Sequence, residues 1–265
     1  MAYSGGCWAA TDHVQTDYYP GHLGSRLAVH RLGEGRPVLL LHGLFSNAEV
    51  NWIKYGTAAQ LAEAGFLAIM PDLRAHGQSD APHDPAAYPE DVLVADALAV
   101  VADLGLTDYD LVGFSLGART ALRAVVAGLT PRRLVLGGMG LEGIAQWAKR
   151  SAHFINAIDR FGTIPHGDPA FFAQAFMKTM QVDRAAVRLL LGSVDDTALA
   201  DLAKVTMPTL VVCGAEDQDN GSAPALAKAL PNGHYAEVPG NHMSSVTKPE
   251  LGAAIIAFLS EPEAE

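Results

Sequence analysis

The feature that most constrains this chain is the run Gly113–Gly117, which places a serine between two glycines. Residues 110–112 predict the end of a buried strand, and the run from Ala118 to Val126 predicts a helix. So sharp a turn strains the serine backbone, and glycine at the flanking positions avoids the clash that a Cβ would make. The turn lifts the Ser115 hydroxyl clear of the sheet and points the next backbone N–H toward any anion that forms there. The alternative interpretation is a tight turn with a surface serine.

The charge balance argues against two classes of partner. The chain has 18 Lys and Arg residues against 29 Asp and Glu residues, a net charge of −11 over 265 residues. We therefore predict neither nucleic acid nor an anionic membrane as a partner. The first residues lack the basic and apolar segments of a secretory signal, and no run of about 20 apolar residues predicts a membrane span. Cys7 and Cys213 predict no disulfide framework and have no metal-binding spacing, which indicates a cytoplasmic protein.

Buried strands and helices alternate along most of the chain. Strands are predicted at residues 11–18, 26–32, 37–41, 66–70, 109–112, 133–137, 209–214 and 234–238. Helices are predicted at residues 57–64, 89–104, 118–126, 222–230 and 247–259. The last of these helices begins with a predicted capping box, Thr247–Glu250. The alternation is typical of the α/β class, with a mostly parallel central sheet that helices cover on both faces.

The alternation stops at residues 141–204, which are predicted to be helical with breaks near Gly162, Pro165–Pro169 and Gly192. Five of the nine phenylalanines lie in this stretch, and it is much longer than the other connections between strands. We interpret it as a helical lid, called the cap below, inserted into a core domain of residues 1–140 and 205–265. The alternative is a set of ordinary core-facing helices of the sheet, since apolar stripes usually pack on a core.

Two later loops carry candidate partners for the serine. A serine hydroxyl near pH 7 needs a base to become a nucleophile, and the base needs an acid to orient it. His242 follows the last predicted strand and is the predicted base. Asp217, in the loop after the preceding strand, is the favoured acid. Its competitors are Glu216 and Asp219, and only one of the three can face the histidine because successive residues leaving a strand point in different directions. Serine, acid and histidine follow one another in the order expected for this architecture.

The oxyanion that forms during attack by the serine needs two amide donors. We predict that one is the backbone N–H of Leu116 and that the other is the N–H of Leu44, in the loop after the third predicted strand. His42 is predicted to brace this loop rather than to act as the base. Asp72 and Arg74 are predicted to tie down the turn after the next strand.

Five motifs in this order resemble the α/β-hydrolase superfamily, from about residue 25 to residue 260. The motifs are Leu40–Gly43, Pro71–Ser79, Gly113–Gly117, Gly214 with Asp217, and Gly240–His242. The resemblance implies Ser115 as nucleophile, His242 as base and Asp217 as the partner of that base. It also implies an oxyanion hole formed by the amides of Leu44 and Leu116, and it identifies the helical stretch as the cap.

Relatives that look like this chain are small serine esterases, perhydrolase-like enzymes, carbon–carbon bond hydrolases and lactonases. Ser115 argues against the haloalkane dehalogenase and epoxide hydrolase branches, which have an aspartate at that position. Phe114 departs from the family pattern, because many relatives have histidine or another polar residue there. This departure makes the wall beside the serine more apolar.

The predicted function is hydrolysis of a carboxylic ester of a small, apolar substrate through an acyl-enzyme on Ser115, as in carboxylesterases. The predicted substrate contacts are apolar side chains: Phe45, Phe114, Trp147, Phe154 and Met243. The same machinery leaves carbon–carbon cleavage of a vinylogous diketone, lactone hydrolysis and perhydrolysis as alternatives, and a non-catalytic small-molecule receptor as a remote one. Carbon–carbon cleavage would need a cationic or polar anchor for a substrate carboxylate, for which Arg119 and Arg150 are candidates. No metal or cofactor is expected, because the histidines form no spaced pair with a carboxylate and no phosphate-binding loop is present.

Overall fold

An eight-stranded sheet forms the centre of the structure, a computed structural model that describes residues 13–262. The strands are β1 (Gln15–Pro20), β2 (Arg26–Leu32), β3 (Arg36–Leu41), β4 (Phe66–Pro71), β5 (Asp110–Phe114), β6 (Leu134–Gly137), β7 (Thr209–Gly214) and β8 (Gly233–Val238). Their order across the sheet is β1-β2-β4-β3-β5-β6-β7-β8. Only the β1–β2 and β2–β4 pairs are antiparallel, and the other neighbouring strands of this sheet are parallel. The predicted fold class, a mostly parallel sheet, is confirmed.

Helices cover both faces of this sheet. The helices are α1 (Thr57–Glu63), α2 (Val92–Asp103), α3 (Leu116–Val126), α4 (Leu141–Ala145), α5 (Trp147–Asp159), α6 (Phe171–Thr179), α7 (Arg184–Ser193), α8 (Ala223–Ala229) and α9 (Pro249–Leu259). Helices α1 and α9 pack in the apolar core on one face, and α2, α3 and α8 pack in the core on the other. Within residues 13–262, no helix combines the length and the apolar character that crossing a membrane requires.

Strand β3 explains why the apolar runs of the sequence are continuous rather than alternating. Its residues Leu39 and Leu41 lie in the core beneath α2 and α3. Val38 and Leu40 lie in the core beneath α1 and α9. Successive side chains of a strand point to opposite faces, so a strand covered on both sides is apolar at every position.

Several predicted boundaries shift in the structure. Strand β1 begins at Gln15, and the earlier part of its predicted range, from Thr11, lies outside the described residues. Cys213 is a buried free thiol. Cys7, the other cysteine for which no disulfide is predicted, lies outside the described residues. The helix predicted from residue 89 begins at residue 92.

The capping box predicted for the last helix is wrong. Lys248 is the residue that precedes α9, and no side chain caps this helix. Thr247 instead ends a separate helical turn, Ser245–Thr247, and its hydroxyl donates to the Ser244 carbonyl at 2.8 Å. Pro249 begins the helix, and proline is favoured there because the first helical N–H has no intrahelical acceptor.

Residues 141–204 form the helices α4 to α7 and a further turn at Leu199–Lys204, all between β6 and β7. Their predicted helical character is confirmed, as is the break between α5 and α6, but the break predicted near Gly192 is wrong because α7 runs through that residue. Their description as a separate cap domain stays a prediction.

Asp72 and Arg74, which are predicted to tie down the turn after β4, bond to different partners. The Arg74 guanidinium donates from Nε and Nη2 to the two carboxylate oxygens of Asp96 in α2, at 2.9 and 2.7 Å. It also donates to the carbonyls of Ala87 and His22. Asp72 instead accepts the N–H groups of Ala48 and Gln78. The two side chains therefore hold different segments, which spacing along the chain cannot reveal.

We expect Asp96→Asn to lower the free energy of unfolding by about 3–5 kcal/mol, because it leaves the Arg74 guanidinium buried and without its counter-charge. The measurement is urea unfolding at neutral pH. The control is Asp159→Asn, which breaks an exposed pair with Arg188 and should change the unfolding midpoint little. An equal loss of unfolding free energy in Asp96→Asn and Asp159→Asn would show that the buried pair stabilises the fold no more than an exposed pair does.

Candidate active site

The turn at Ser115 joins the end of β5 directly to the start of α3. Ser115 has φ 54° and ψ −116°, a left-handed backbone that costs a residue other than glycine about 1–3 kcal/mol. A Cβ on Gly117 would lie 2.0 Å from the Leu41 carbonyl oxygen. A Cβ on Gly113 would lie 2.3 Å from the Gly117 carbonyl oxygen. The two glycines are therefore required by close backbone contact, as the sequence motif predicted.

The structure brings the three predicted side chains together. Ser115 Oγ lies 3.0 Å from His242 Nε2, and His242 Nδ1 lies 2.9 Å from Asp217 Oδ2. These residues follow β5, β8 and β7, which are parallel and therefore present their carboxyl ends at one edge of the sheet. An Nδ1 that donates to the carboxylate leaves Nε2 free to accept the serine proton.

The two competing acids occupy other positions. Glu216 is exposed. The carboxylate of Asp219 lies within 4.8 Å of the Asp217 and His242 ligand atoms but makes no hydrogen bond to His242 in the described chain. Its backbone N–H donates to Asp217 Oδ1 at 3.0 Å, so Asp219 supports the favoured acid.

The environment of Asp217 keeps its carboxylate ionised. Burial acts to raise the pKa of Asp217, and the hydrogen bond and charge of His242 oppose this effect of burial. The Asp219 N–H and the charge of Arg150 act in the same direction, so the pKa lies below its ordinary value. A permanently charged acid can stabilise the histidine when that ring takes up a proton.

The backbone N–H groups of Leu44 and Leu116 are the predicted donors of the oxyanion hole. Leu116 is the first residue of α3, so its N–H has no acceptor within the helix. The N–H of Leu44 likewise has no hydrogen-bond partner in the part of the chain that the structure describes. Gly43 brings this loop close to the serine, since a Cβ there would lie 3.4 Å from Ser115 Cβ.

The backbone N–H groups of the residues on either side of Leu44 are hydrogen-bonded to side chains. The Gly43 N–H donates to Asn51 Oδ1 at 3.0 Å, and the Phe45 N–H donates to His76 Nε2 at 3.1 Å. Sequence reasoning missed Asn51 and His76. His76 lies within a quoted motif, but nothing in the sequence connects either side chain to this loop.

His42 braces the loop as predicted. Its Nδ1 donates to the Gly43 carbonyl at 2.8 Å, and its Nε2 accepts the Leu73 N–H at 2.9 Å. His76 has the same arrangement, with Nδ1 donating to the Arg74 carbonyl. Both rings are thus held neutral. Burial lowers the pKa of His42, and it lowers the pKa of His76 to about 3.

A cavity of about 420 Å³ opens above Ser115 and His242. Four of the predicted contact residues line it: Phe45, Phe114, Phe154 and Met243. Trp147 is a correction, because it does not line this cavity. Trp147 is 1% exposed and packs against Arg119, whose Cζ lies 5.4 Å from the indole centroid. Trp147 points inward from the start of α5, a direction that the irregular pattern of residues 141–204 did not indicate.

Sequence reasoning missed several other residues that line the cavity, namely Tyr55, His153, Phe172 and Phe176. Three of these belong to residues 141–204, where only the packed structure determines which helix face is turned to the cavity. Arg119, one of the two predicted cationic anchors, is not among the lining residues, whereas Arg150 is.

One group of side chains resembles a metal site, and another resembles a second chain of hydroxyl, imidazole and carboxylate. Asp217, Asp219 and His242 are the described residues whose ligand atoms lie close enough for a metal ion, but Asp217 and His242 already bond each other. Thr16, His30 and Asp72 form a second hydroxyl–imidazole–carboxylate chain, at 2.8 and 3.2 Å. Asp72 there accepts two loop amides, so this chain holds structure together.

Known proteins match the chain over different lengths. A family model described as alpha/beta hydrolase fold matches residues 36–133. The AB hydrolase superfamily protein YisY of Bacillus subtilis (strain 168) is 37% identical over 97 residues, which are 37% of this chain and 34% of that protein. A putative non-heme chloroperoxidase of Synechocystis sp. is 26% identical over 247 residues, covering 79% of this chain and 85% of the relative. The chain thus spans about a third of the length of the first curated relatives it matches.

Among solved structures, an esterase from Exiguobacterium antarcticum superposes with a TM-score of 0.76 at 20% identity, over 93% of this chain and 100% of that one. This likeness shows the fold. Together with the matched family model and the sheet described above, it shows that the chain has the α/β-hydrolase fold.

We expect the free energy of unfolding to fall as the pH falls below about 6.5. The folded chain holds His76 neutral down to about pH 3, whereas the unfolded chain takes up that proton near 6.5. Between these values the unfolded state binds more protons, so stability falls by about 1.4 kcal/mol per pH unit for this ring. His76→Gln should reduce the measured slope by about that amount in urea unfolding between pH 6.5 and 4.5.

The control for this experiment is Leu199→Ala, which changes an exposed apolar side chain and removes no titratable group. It should leave the slope as in the original chain. An unchanged slope in His76→Gln would mean that this ring is not held neutral.

Proposed function

We propose that the chain is a serine hydrolase that cleaves carboxylic esters through an acyl-enzyme on Ser115. The observation that carries the proposal is the hydrogen-bonded chain from Ser115 through His242 to Asp217, at 3.0 and 2.9 Å. The amides of Leu44 and Leu116, which have no hydrogen-bond partner among residues 13–262, support it, because acyl transfer needs donors for the oxyanion.

The reaction begins when His242 Nε2 takes the proton of Ser115 Oγ as that oxygen attacks the ester carbonyl carbon. The carbonyl oxygen becomes an oxyanion and accepts hydrogen bonds from the Leu44 and Leu116 amides. The tetrahedral intermediate then expels the alcohol, which takes the proton from His242. Asp217 stays ionised throughout and stabilises the imidazolium form of His242.

The second half of the reaction repeats these steps with water. His242 removes a proton from a water molecule that attacks the acyl carbon, and the carboxylic acid leaves as Ser115 takes back the proton. Lactone hydrolysis and perhydrolysis use the same groups with a cyclic ester or with peroxide. The proposal therefore specifies the acyl-enzyme intermediate on Ser115 and does not specify which alcohol leaves.

The cavity supports an apolar or aromatic acyl group of modest size. Its walls include Phe45, Phe154, Phe172 and Phe176, and ligand pockets with such walls bind apolar groups through a few polar anchors. The last three belong to residues 141–204, which we propose act as a cap over the site. We also propose a cytoplasmic location, for which the buried free thiol of Cys213 is a fitting feature.

Removing the nucleophile or its acid should abolish most ester turnover. We expect Ser115→Ala and Asp217→Asn each to lower kcat about 10⁴-fold or more on short-chain aryl esters, because the base loses its target or its orientation. The control is Glu216→Gln, which changes an exposed neighbour of Asp217 and should leave kcat within about twofold. Equal rates for Ser115→Ala and the original chain would exclude an acyl-enzyme on Ser115.

Carbon–carbon cleavage of a vinylogous diketone is the second candidate, and the cavity lining favours it over the receptor alternative. Such a substrate carries a carboxylate that needs a cationic anchor. Arg150 lines the cavity, and its Nε has no hydrogen-bond partner in the described chain. His153 lies one helical turn along α5 and lines the same cavity.

The two candidates differ in their response to loss of Arg150. If the substrate is a carboxylated diketone, Arg150→Met should raise KM for it about 10- to 100-fold, the value of a lost charge-assisted hydrogen bond. KM for a neutral aryl ester should change less. Arg188→Met removes an exposed charge on α7 and serves as control. Brisk ester turnover with no cleavage of any diketone would exclude the second candidate.

A further inference from the structure

Four buried polar atoms in one region have no hydrogen-bond partner within residues 13–262. They are Arg119 Nε, Arg119 Nη2, Trp147 Nε1 and Thr197 Oγ1. The first three can only donate a hydrogen bond, and a threonine hydroxyl can also donate one. Buried polar groups in folded proteins are almost always paired, so a group of unpaired donors calls for an acceptor.

Three structural elements bring these atoms into one region. Arg119 lies on α3, one turn after Ser115, and its Cζ lies 5.4 Å from the Trp147 ring centroid at the start of α5. The backbone at Thr197 is held beside α4, because its N–H donates to the Ile144 carbonyl at 3.1 Å.

The residue before Thr197 ties the same segment to both helices. Asp196 Oδ1 accepts the Ala148 N–H of α5 at 2.9 Å, and the Asp196 carbonyl accepts from Arg123 Nη1 of α3 at 2.7 Å. Arg123 is one turn beyond Arg119 on the same helix face. The segment 195–197 therefore runs between α3 and the start of α5, where Arg119 and Trp147 also lie.

No carboxylate within residues 13–262 forms an ion pair with the buried guanidinium of Arg119. The residue is 1% exposed, and burial lowers its pKa to about 9. Asp195 and Asp196 act on it from exposed positions, where water screens their charge. The Trp147 ring offers a weak cation–π contact, which does not replace a counter-charge for a desolvated guanidinium. By contrast, Arg74 and Arg123 each pair with an aspartate.

We propose that Arg119, Trp147 and Thr197 bind a small monovalent anion, a halide such as chloride, between α3, α5 and the segment 195–197. An anion supplies both the missing acceptor and the missing charge. Arg119 does not line the cavity above Ser115, so a carboxylate of the substrate in that cavity is not its partner. A single-atom ion needs the least space in so closed a region.

The proposed site connects the helix that carries the nucleophile to the first long helix of residues 141–204. Bound halide therefore stabilises the folded state, because an ion that binds only the folded chain raises the free energy of unfolding. This inference does not depend on the reaction proposed for Ser115, and its readouts require no turnover.

The first test is thermal unfolding in sodium chloride and sodium bromide against sodium gluconate at equal ionic strength. We expect the halides to raise the midpoint of the original chain by about 2–4 °C, with saturation. Arg119→Met should lose this rise. In gluconate its midpoint should equal or exceed that of the original chain, because an apolar side chain replaces an unpaired buried charge.

The control is Arg188→Met, which removes one positive charge at an exposed position and should keep the halide-specific rise. Equal midpoints of the original chain in halide and gluconate would overturn the proposal. So would a halide-specific rise that persists in Arg119→Met.

The second test does not require any variant to fold. Crystals of the original chain grown with bromide should contain an anomalous scatterer within hydrogen-bond reach of Arg119 Nε and Trp147 Nε1. Water at that position, or no scatterer, overturns the proposal. Bromide there without halide-specific stabilisation in solution would indicate an adventitious ion only and would also overturn it.

Discussion

The structure depends on one close backbone contact, between Gly117 at the start of α3 and the carbonyl oxygen of Leu41 at the end of β3. A Cβ at position 117 would lie 2.0 Å from that oxygen, so only glycine lets the helix start this close to the sheet. The contact forces Ser115 into its left-handed backbone and directs its hydroxyl outward. It also brings the free amide of Leu116 close to the loop that carries the Leu44 amide. The positions of Ser115 and of the two amides proposed to bind the oxyanion thus depend on a single steric constraint.

Buried polar side chains keep the surrounding loops in position. His42 and His76 are neutral and hold the backbone beside Leu44, while Asp72 accepts the Ala48 and Gln78 amides. Each bond satisfies a group whose burial without a partner would cost about 1–3 kcal/mol. These side chains do not line the cavity above Ser115, so they position the site through the loop backbone, and we expect their loss to reduce both stability and activity.

Residues 141–204 contribute in two different ways. Phe154, Phe172 and Phe176 turn toward the cavity and give it an aromatic wall. Trp147 turns the other way and packs on the guanidinium of Arg119. The same helix, α5, thus connects the cavity wall to the helix that follows the nucleophile. A counter-ion at Arg119 would strengthen that connection by removing the cost of an unpaired buried charge.

The sequence by itself determined the alternating fold and the location of Ser115, His242 and Asp217. Apolar runs identify buried strands, and parallel strands present their carboxyl ends at one edge, so loop residues on different strands can be predicted to meet. Only the tertiary structure decided that Asp217 rather than Glu216 or Asp219 bonds the histidine. It also decided that Trp147 avoids the cavity and that Arg119 Nε and Nη2 have no hydrogen-bond partner within residues 13–262. These outcomes depend on side-chain direction and on contacts between distant segments, which a helical or loop pattern does not specify.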